Sequence, residues 1–110
     1  DITLVETTCM NMGHNADFDN AVKVAYDYAD RHPGTLVVVT ADHETAGVTL
    51  PSGKPDFTLP DQGVKYTFST KSHTATYVPV YLYGTGAGRI AGIMDNTQLA
   101  RRVMALLGKE

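Results

Sequence analysis

The 110-residue sequence predicts an α/β fold, and three observations lead to that prediction. A helical pattern of apolar residues runs through DFDNAVKVAYDYADRH, from Asp17 to His32. Pro33-Gly34 stops this pattern, and the apolar run TLVVV from Thr35 to Val39 follows at once. Because that run does not alternate with polar residues, it is typical of a strand covered on both faces. Helix, tight turn and buried strand together indicate an α/β arrangement.

The first predicted helix carries its own start and stop signals. Asp17 is expected to act as the N-cap, and Asp19 adds negative charge to the first turn. Arg31 and His32 lie near the other end, where cations interact favourably with the helix dipole. We therefore expect a helix that begins at Asp17 and ends before Pro33.

Shorter strands are expected on either side of this unit. ITLVETT at residues 2–8 is rich in β-branched residues, which is typical of a short strand. Residues 47–72 read as loops and short antiparallel strands, because VTL, DFTL and VKYTFST alternate. YVPVYLY at residues 77–83 predicts another strand, and Pro79 favours an edge position or the start of that strand. GTGAG at residues 84–88 predicts a turn.

A second helix is predicted near the end of the chain, in DNTQLARRVMALLG. Asp95 or Asn96 can cap it, and Asp95 with Gln98 has the spacing of a capping box. Gly108 is expected to stop it. One helical face carries the apolar residues Leu99, Val103, Leu106 and Leu107.

Composition sets broad limits on function. The chain is 43% hydrophobic and 19% charged with a net charge of -3, as expected for one small globular domain. That charge gives no reason to expect binding to nucleic acid or to an anionic membrane surface. The apolar runs are too short for a membrane span, and Cys9 has no second cysteine to pair with. No signal peptide is visible, and Asp1 is not an initiator residue, so we expect a processed or cut chain.

The main candidate site is the polar stretch Thr40-Ala41-Asp42-His43-Glu44, directly after the buried strand. In open α/β sheets, ligands collect beyond the carboxyl ends of the strands. Asp42 and His43 offer a carboxylate oxygen and an imidazole nitrogen, which are both zinc donors. The dipeptide is equally compatible with a solvated turn, so its spacing alone leaves both interpretations open.

Other histidines are weaker candidates. His73 lies in KSHTAT before the strand at residues 77–83, and it reaches His43 only if the intervening pieces are antiparallel. His14 is explained equally well by local chemistry at the helix entry, and His32 by the helix dipole. The sequence contains no GxSxG nucleophile elbow, and GTGAG matches neither a dinucleotide fingerprint nor a phosphate loop.

Four segments resemble the alkaline phosphatase family in a consistent order. TADHET at residues 40–45 resembles the signature that follows a strand and supplies zinc ligands. SHTATYVPVYLYGTGAG at residues 72–88 is similar to the family's HT-x-x-x-VPV-x-x-YG-x-GA segment. GIMDNTQLARRVM at residues 92–104 resembles its closing helix, and DFDNAVKVAYDYA at residues 17–29 resembles the helix that leads into the TADH strand.

The resemblance implies a fold and an activity. The expected fold is a fragment of an α/β/α sandwich, with a mixed sheet flanked by helices. Residues 1–110 would form one domain from the C-terminal part of the enzyme, with residues 1–16 as a divergent N-terminal segment. The family hydrolyses phosphate monoesters with two zinc ions and one magnesium ion, through a serine nucleophile. Its members are periplasmic or extracellular and often homodimeric.

The resemblance also assigns metal ligands. Asp42 and His43 match ligands of the zinc ion that activates the serine. His73 matches a ligand of the other zinc ion, which binds the leaving-group oxygen. His14 would be a further zinc ligand, and Glu6 would be the magnesium glutamate.

The chain departs from the family pattern in three places. No Asp-Ser motif is present, so no catalytic nucleophile is assigned. Met10 stands where an aspartate ligand is expected four residues before His14, and Glu6 is one position out of place. We therefore expect that the longer enzyme is a phosphatase and that this chain alone is inactive.

Two alternatives stay open at the level of sequence. The chain could fold as a non-catalytic α/β module without metal. Relatives in the same superfamily also act on sulfate esters or phosphodiesters, or transfer phosphoryl groups between sugars. The HT-x-x-x-VPV segment favours the phosphate monoesterase branch.

Overall fold

The computed structural model describes the backbone of residues 2–6 and 14–16, and both backbone and side chains of residues 17–50 and 67–108. In chain order, its elements are β1 (Ile2–Glu6), α1 (His14–Arg31), β2 (Leu36–Thr40), β3 (Glu44–Thr45), β4 (Val48–Thr49), β5 (Thr67–Phe68), β6 (His73–Thr74), β7 (Tyr81–Gly84), a 3-10 turn (Ala87–Arg89) and α2 (Asn96–Leu106).

The central feature of the described residues is a three-stranded mixed sheet with the order β1-β2-β7. β1 runs parallel to β2, with α1 between them in the chain, whereas β7 is antiparallel to β2. The predicted α/β fold with a mixed sheet is confirmed. ITLVETT does form a strand over its first five residues, Ile2–Glu6.

β2 is the buried strand that the apolar run predicts. Residues 36–39 are all buried, and Val37 has no exposed surface. Val37 and Val39 project to the same face of the sheet, where they pack with Ala29 of α1. Phe18, Val22, Ala25 and Tyr26 extend this cluster along the helix. Cover on both faces therefore explains the absence of polar alternation.

α1 begins earlier than its sequence signals suggest. The prediction of Asp17 as the N-cap is wrong, because the helix starts at His14 and places Asp17 inside the first turn. A carboxylate there still faces the unpaired N–H groups of the helix start, so the favourable charge effect remains. The other end is as predicted, since the helix ends at Arg31. The His32 ring follows it, and its Nδ1–H donates to the carbonyl of Tyr28 at 2.8 Å.

β7 lies at one edge of the sheet, as Pro79 suggests, but it is shorter than the predicted strand. It begins at Tyr81, because Pro79 has no N–H to give to a ladder. The Tyr83 hydroxyl donates to Asp30 of α1 at 2.6 Å, and its ring stacks on Tyr26 with centroids 4.3 Å apart. The hydrogen bond to Asp30 raises the pKa of Tyr83 above its ordinary value of 10.0.

The middle of the chain contains two-residue antiparallel pairs, as its alternation predicts. β4 pairs with β5, and β3 pairs with β6. The predicted DFTL strand lies outside the described residues.

In α2 the capping box is present, since Asp95 accepts from the Gln98 N–H at 2.8 Å. The sequence predicts Leu107 on the apolar helical face, but this residue lies just past the helix as its C-cap residue and is 44% exposed.

Candidate metal centre

The candidate site begins where β2 ends. The Thr40 hydroxyl donates to the carbonyl of Pro79 at 3.1 Å, which ties the end of the strand to the segment before β7. Asp42 comes next, and its Oδ1 accepts the backbone N–H of His43 at 3.0 Å. This bond leaves Oδ2 of Asp42 facing Nε2 of His43 at 3.4 Å. Donor atoms of both predicted zinc ligands are therefore directed toward each other.

Strand pairing brings His73 to the same place. Directly after β3, Ala46 and Gly47 adopt positive φ angles of 72° and 56°, and β6 pairs with β3 in an antiparallel ladder. The register sets His73 opposite Thr45. The rings of His43 and His73 lie with centroids 3.7 Å apart and planes tilted by 38°. The antiparallel alternative left open by the sequence is the one that the structure adopts.

Glu44 joins β6 to the turn that follows β3. Its carboxylate accepts the hydroxyl of Thr74, the N–H of Gly47 at 3.1 Å and the N–H of Val48 at 3.3 Å. The hydroxyl of Thr74 and the two N–H groups hold the pKa of Glu44 below its ordinary value of 4.5. Glu44 is therefore an anionic clamp between β3, which directly follows His43, and β6, which carries His73. The sequence prediction missed this role.

The hydroxyl of Thr45 lies between the two imidazoles. Its Oγ1 is 3.4 Å from Nδ1 of His43 and 3.2 Å from Nδ1 of His73. The carbonyl of Glu44 is 3.3 Å from the same nitrogen of His43. Both Nδ1 atoms thus have partners within the protein, which leaves the Nε2 atoms for other ligands.

The donors fit part of a zinc shell. Two ligands at about 2.0–2.2 Å from a tetrahedral zinc ion are separated by about 3.3–3.6 Å. The 3.4 Å between Asp42 Oδ2 and His43 Nε2 falls in that range. Within residues 17–50 and 67–108, however, no three His, Cys, Asp or Glu side chains are placed to hold one ion. This part of the chain therefore offers an incomplete shell.

The remaining predicted ligands have side chains outside the described residues. Glu6 is the last residue of β1, and its Cα pairs with Thr40, so the backbone brings it to the same end of the sheet. His14 is the first residue of α1. Their assignment as metal ligands stays a prediction.

A cavity of about 490 Å³ adjoins Asp42. The end of β2, residues 76–78, Val80 and the start of α2 line it. The pKa of Asp95 at the start of α2 lies below its ordinary value of 3.8, because the Thr97 hydroxyl and the Gln98 N–H donate to it. Asp42 therefore opens onto a space rather than onto a packed core.

Fold and site define the class of this protein: an α/β protein with carboxylate and imidazole donors at the carboxyl end of its central strand. The chain belongs to the alkaline phosphatase family, whose model matches residues 5–62. This finding confirms the family resemblance carried by TADHET and the segments around it.

Individual relatives agree with that assignment. The chain is 39% identical to streptomycin-6-phosphate phosphatase of Streptomyces griseus and 30% identical to alkaline phosphatase of Escherichia coli, over 91% of its length in each case. It covers 25% and 24% of those proteins, so it spans about a quarter of the curated relatives that it matches.

Solved structures show the same fold. Alkaline phosphatase from the Antarctic bacterium TAB5 superposes with a TM-score of 0.72 at 36% identity, over 86% of this chain and 28% of that one. A variant of the TAB5 enzyme with Mg bound in its M3 site reaches a TM-score of 0.76 at 33% identity, over 90% of this chain and 30% of that one. Among the described residues, no helix is both long and apolar enough to cross a membrane.

Proposed function

We propose that this chain is the C-terminal part of a longer zinc-dependent alkaline phosphatase that hydrolyses phosphate monoesters. Residues 1–110 would form one domain of that enzyme. Family membership and the quarter-length match to the relatives support the proposal. The observation that carries it is the facing pair of Asp42 Oδ2 and His43 Nε2, with the His73 ring beside it.

We assign Asp42 and His43 to one zinc ion and His73 to its neighbour. In two-metal hydrolytic sites the ions are about 3.5–4 Å apart. Two imidazoles with centroids 3.7 Å apart are suited to serve two ions at that separation. Bound metals of this kind polarise phosphoryl oxygens and lower the pKa of bound water.

Other donors complete the proposed centre. Glu6 is the proposed magnesium ligand and His14 a further zinc ligand. The pairing of Glu6 with Thr40 supports the first assignment, because it sets the two backbones side by side at this sheet end. The Mg bound in the M3 site of the TAB5 variant supports a magnesium ion in this family.

The residues of this chain have positioning and electrostatic roles in the proposed reaction. Asp42 contributes negative charge beside His43, and Glu44 joins the two segments that carry the imidazoles. The nucleophilic serine would come from outside these 110 residues, so the chain alone is inactive. By family resemblance, the longer enzyme is periplasmic or extracellular and homodimeric.

The substrate class can be tested in the longer protein that contains this chain. We expect it to hydrolyse 4-nitrophenyl phosphate in preference to bis(4-nitrophenyl) phosphate and 4-nitrophenyl sulfate. Changing a residue that only orients a metal ligand costs about 10–100-fold, so His43→Ala and His73→Ala should each cost at least that much. His32→Ala is the matched control, because its ring stacks on Tyr28 away from the site.

Two results would contradict the proposal. Preferred turnover of the diester or the sulfate would assign another substrate class to the site. Full monoesterase activity in both histidine variants would remove those residues from the metal centre.

A further inference from the structure

We propose that Thr45 is a positioning residue whose hydroxyl oxygen accepts Nδ1–H from both His43 and His73. At His73 this contact sets the tautomer that presents a free Nε2 lone pair, and at His43 it supports the same tautomer, which the Glu44 carbonyl also favours. The inference rests on the proposed function, because a free Nε2 has a use only if a metal binds there. It extends that function by naming the group that orients the two ligands together.

The hydrogen-bond partners of His43 set its tautomer. Its Nδ1 lies 3.3 Å from the carbonyl oxygen of Glu44, and a carbonyl can only accept. Nδ1 of His43 must therefore carry a hydrogen. In the neutral ring, Nε2 then presents a lone pair to the Asp42 carboxylate at 3.4 Å. Two acceptors that face each other in this way need a proton or a cation between them.

The tautomer of His73 depends on whether the Thr45 hydroxyl donates to its Nδ1 or accepts from it. Oγ1 of Thr45 is 3.2 Å from Nδ1 of His73, and a hydroxyl can either donate or accept. If it donated, the neutral ring of His73 would carry its hydrogen on Nε2 and could not bind a metal through that atom. If it accepts, Nε2 is free. Its two lone pairs allow Oγ1 to accept from both rings at once.

The surrounding strands explain why Thr45 occupies this position. β3 and β6 pair Thr45 with His73 across the antiparallel ladder. The neighbouring pair, Glu44 and Thr74, is joined through its side chains. This anchor fixes the register, so the hydroxyl of Thr45 is held between the two rings. Metal-bound histidines usually donate their second N–H to such an acceptor, which orients the ring.

The experiment reads the tautomers directly in the full 110-residue chain. Metal is removed with a chelator at a pH of about 8, above the ordinary histidine pKa of about 6.5. Long-range ¹H–¹⁵N spectra of the rings then show which nitrogen carries the hydrogen. We expect Nδ1–H on His43 and His73. His32 serves as an internal reference, because its Nδ1–H donates to the carbonyl of Tyr28 at 2.8 Å.

Two substitutions separate the hydroxyl from the fold. Thr45→Val keeps the shape but removes the acceptor, so His73 should lose its preference for Nδ1–H. His43 should keep it through the Glu44 carbonyl, and His32 should not change. Zinc affinity, measured by competition with a chromophoric chelator, should fall about 10–100-fold. Thr45→Ser restores the hydroxyl and should restore both readouts.

The outcomes are distinct. Nε2–H on His73 in the wild-type chain would overturn the inference, and this result does not depend on a variant that folds. An unchanged tautomer and zinc affinity in Thr45→Val would also overturn it. If the wild-type tautomers are as expected but no zinc binds, the Thr45 inference stands and the metal part of the proposed function fails.

Discussion

Replacing Gly84 by alanine should destabilise the fold through a single close contact. Gly84 has a φ of 92°, and an added Cβ would lie 2.4 Å from the backbone oxygen of Thr35. That oxygen already accepts the Thr85 N–H at 2.8 Å, so it has little freedom to move. The left-handed backbone costs a non-glycine residue about 1–2 kcal/mol. Forced packing costs about 1–3 kcal/mol more.

Part of this loss is offset in the unfolded chain. Gly→Ala reduces the freedom of that chain, which returns about 0.4–1 kcal/mol. The net loss for Gly84→Ala is then roughly 1–4.6 kcal/mol. A loss of about 2.5 kcal/mol within that range lowers Tm by roughly 10–20 °C. Urea unfolding followed by circular dichroism measures the free energy of unfolding, and a thermal scan measures Tm.

Gly34→Ala is the matched control. Its φ of 97° is nearly the same, but apart from its chain neighbours no heavy atom of the described residues lies within 4 Å of the added Cβ. It therefore carries the backbone cost without the contact, for a net loss of about 0–1.5 kcal/mol. Equal losses in Gly34→Ala and Gly84→Ala would refute the contact argument.

Three further predictions concern stability. Val37→Ala leaves a cavity at a side chain with no exposed surface, so urea unfolding should show a loss of roughly 1–3 kcal/mol; an unchanged midpoint would contradict the core assignment. Ala46→Gly removes the cost of a φ of 72° but adds chain entropy, so the same assay should show a gain of up to about 1.5 kcal/mol, and a clear loss would contradict the strain. Asp95 has a lowered pKa, so its contribution is complete above 3.8 and is lost as the pH falls below that value. Asp95→Asn should flatten this part of the pH profile of urea midpoints, and identical profiles would contradict the cap.

The elements that the sequence predicts well are those set by local chemistry. Thr35 to Val39 lacks polar alternation because both faces of β2 are covered, so the apolar run predicts that burial. The Asp95 and Gln98 pair satisfies the first N–H groups of α2 within four residues. Helix boundaries are harder to predict. A carboxylate is favourable anywhere in the first turn, so Asp17 is compatible both with a helix that starts there and with the observed start at His14.

The geometry of the site depends on contacts that no local pattern contains. His43 and His73 are brought together by a two-residue strand pair between segments far apart in the chain. Strands that short have little alternation to reveal their register. The clamp of Glu44 on Thr74 is likewise a tertiary contact. The family resemblance could place His73 near His43, but the role of Thr45 required coordinates.

A zinc titration of the full chain tests the central claim most directly, because it asks whether these residues bind metal at all. Wild-type protein, the His43→Ala/His73→Ala double variant and the His32→Ala control are titrated in competition with a chromophoric chelator. We predict that the wild type and the control bind zinc and that the double variant does not. The same zinc affinity in the double variant and the wild type would contradict the claim. A wild-type chain whose well-dispersed spectra do not change on adding zinc would favour a metal-free, non-catalytic α/β module instead.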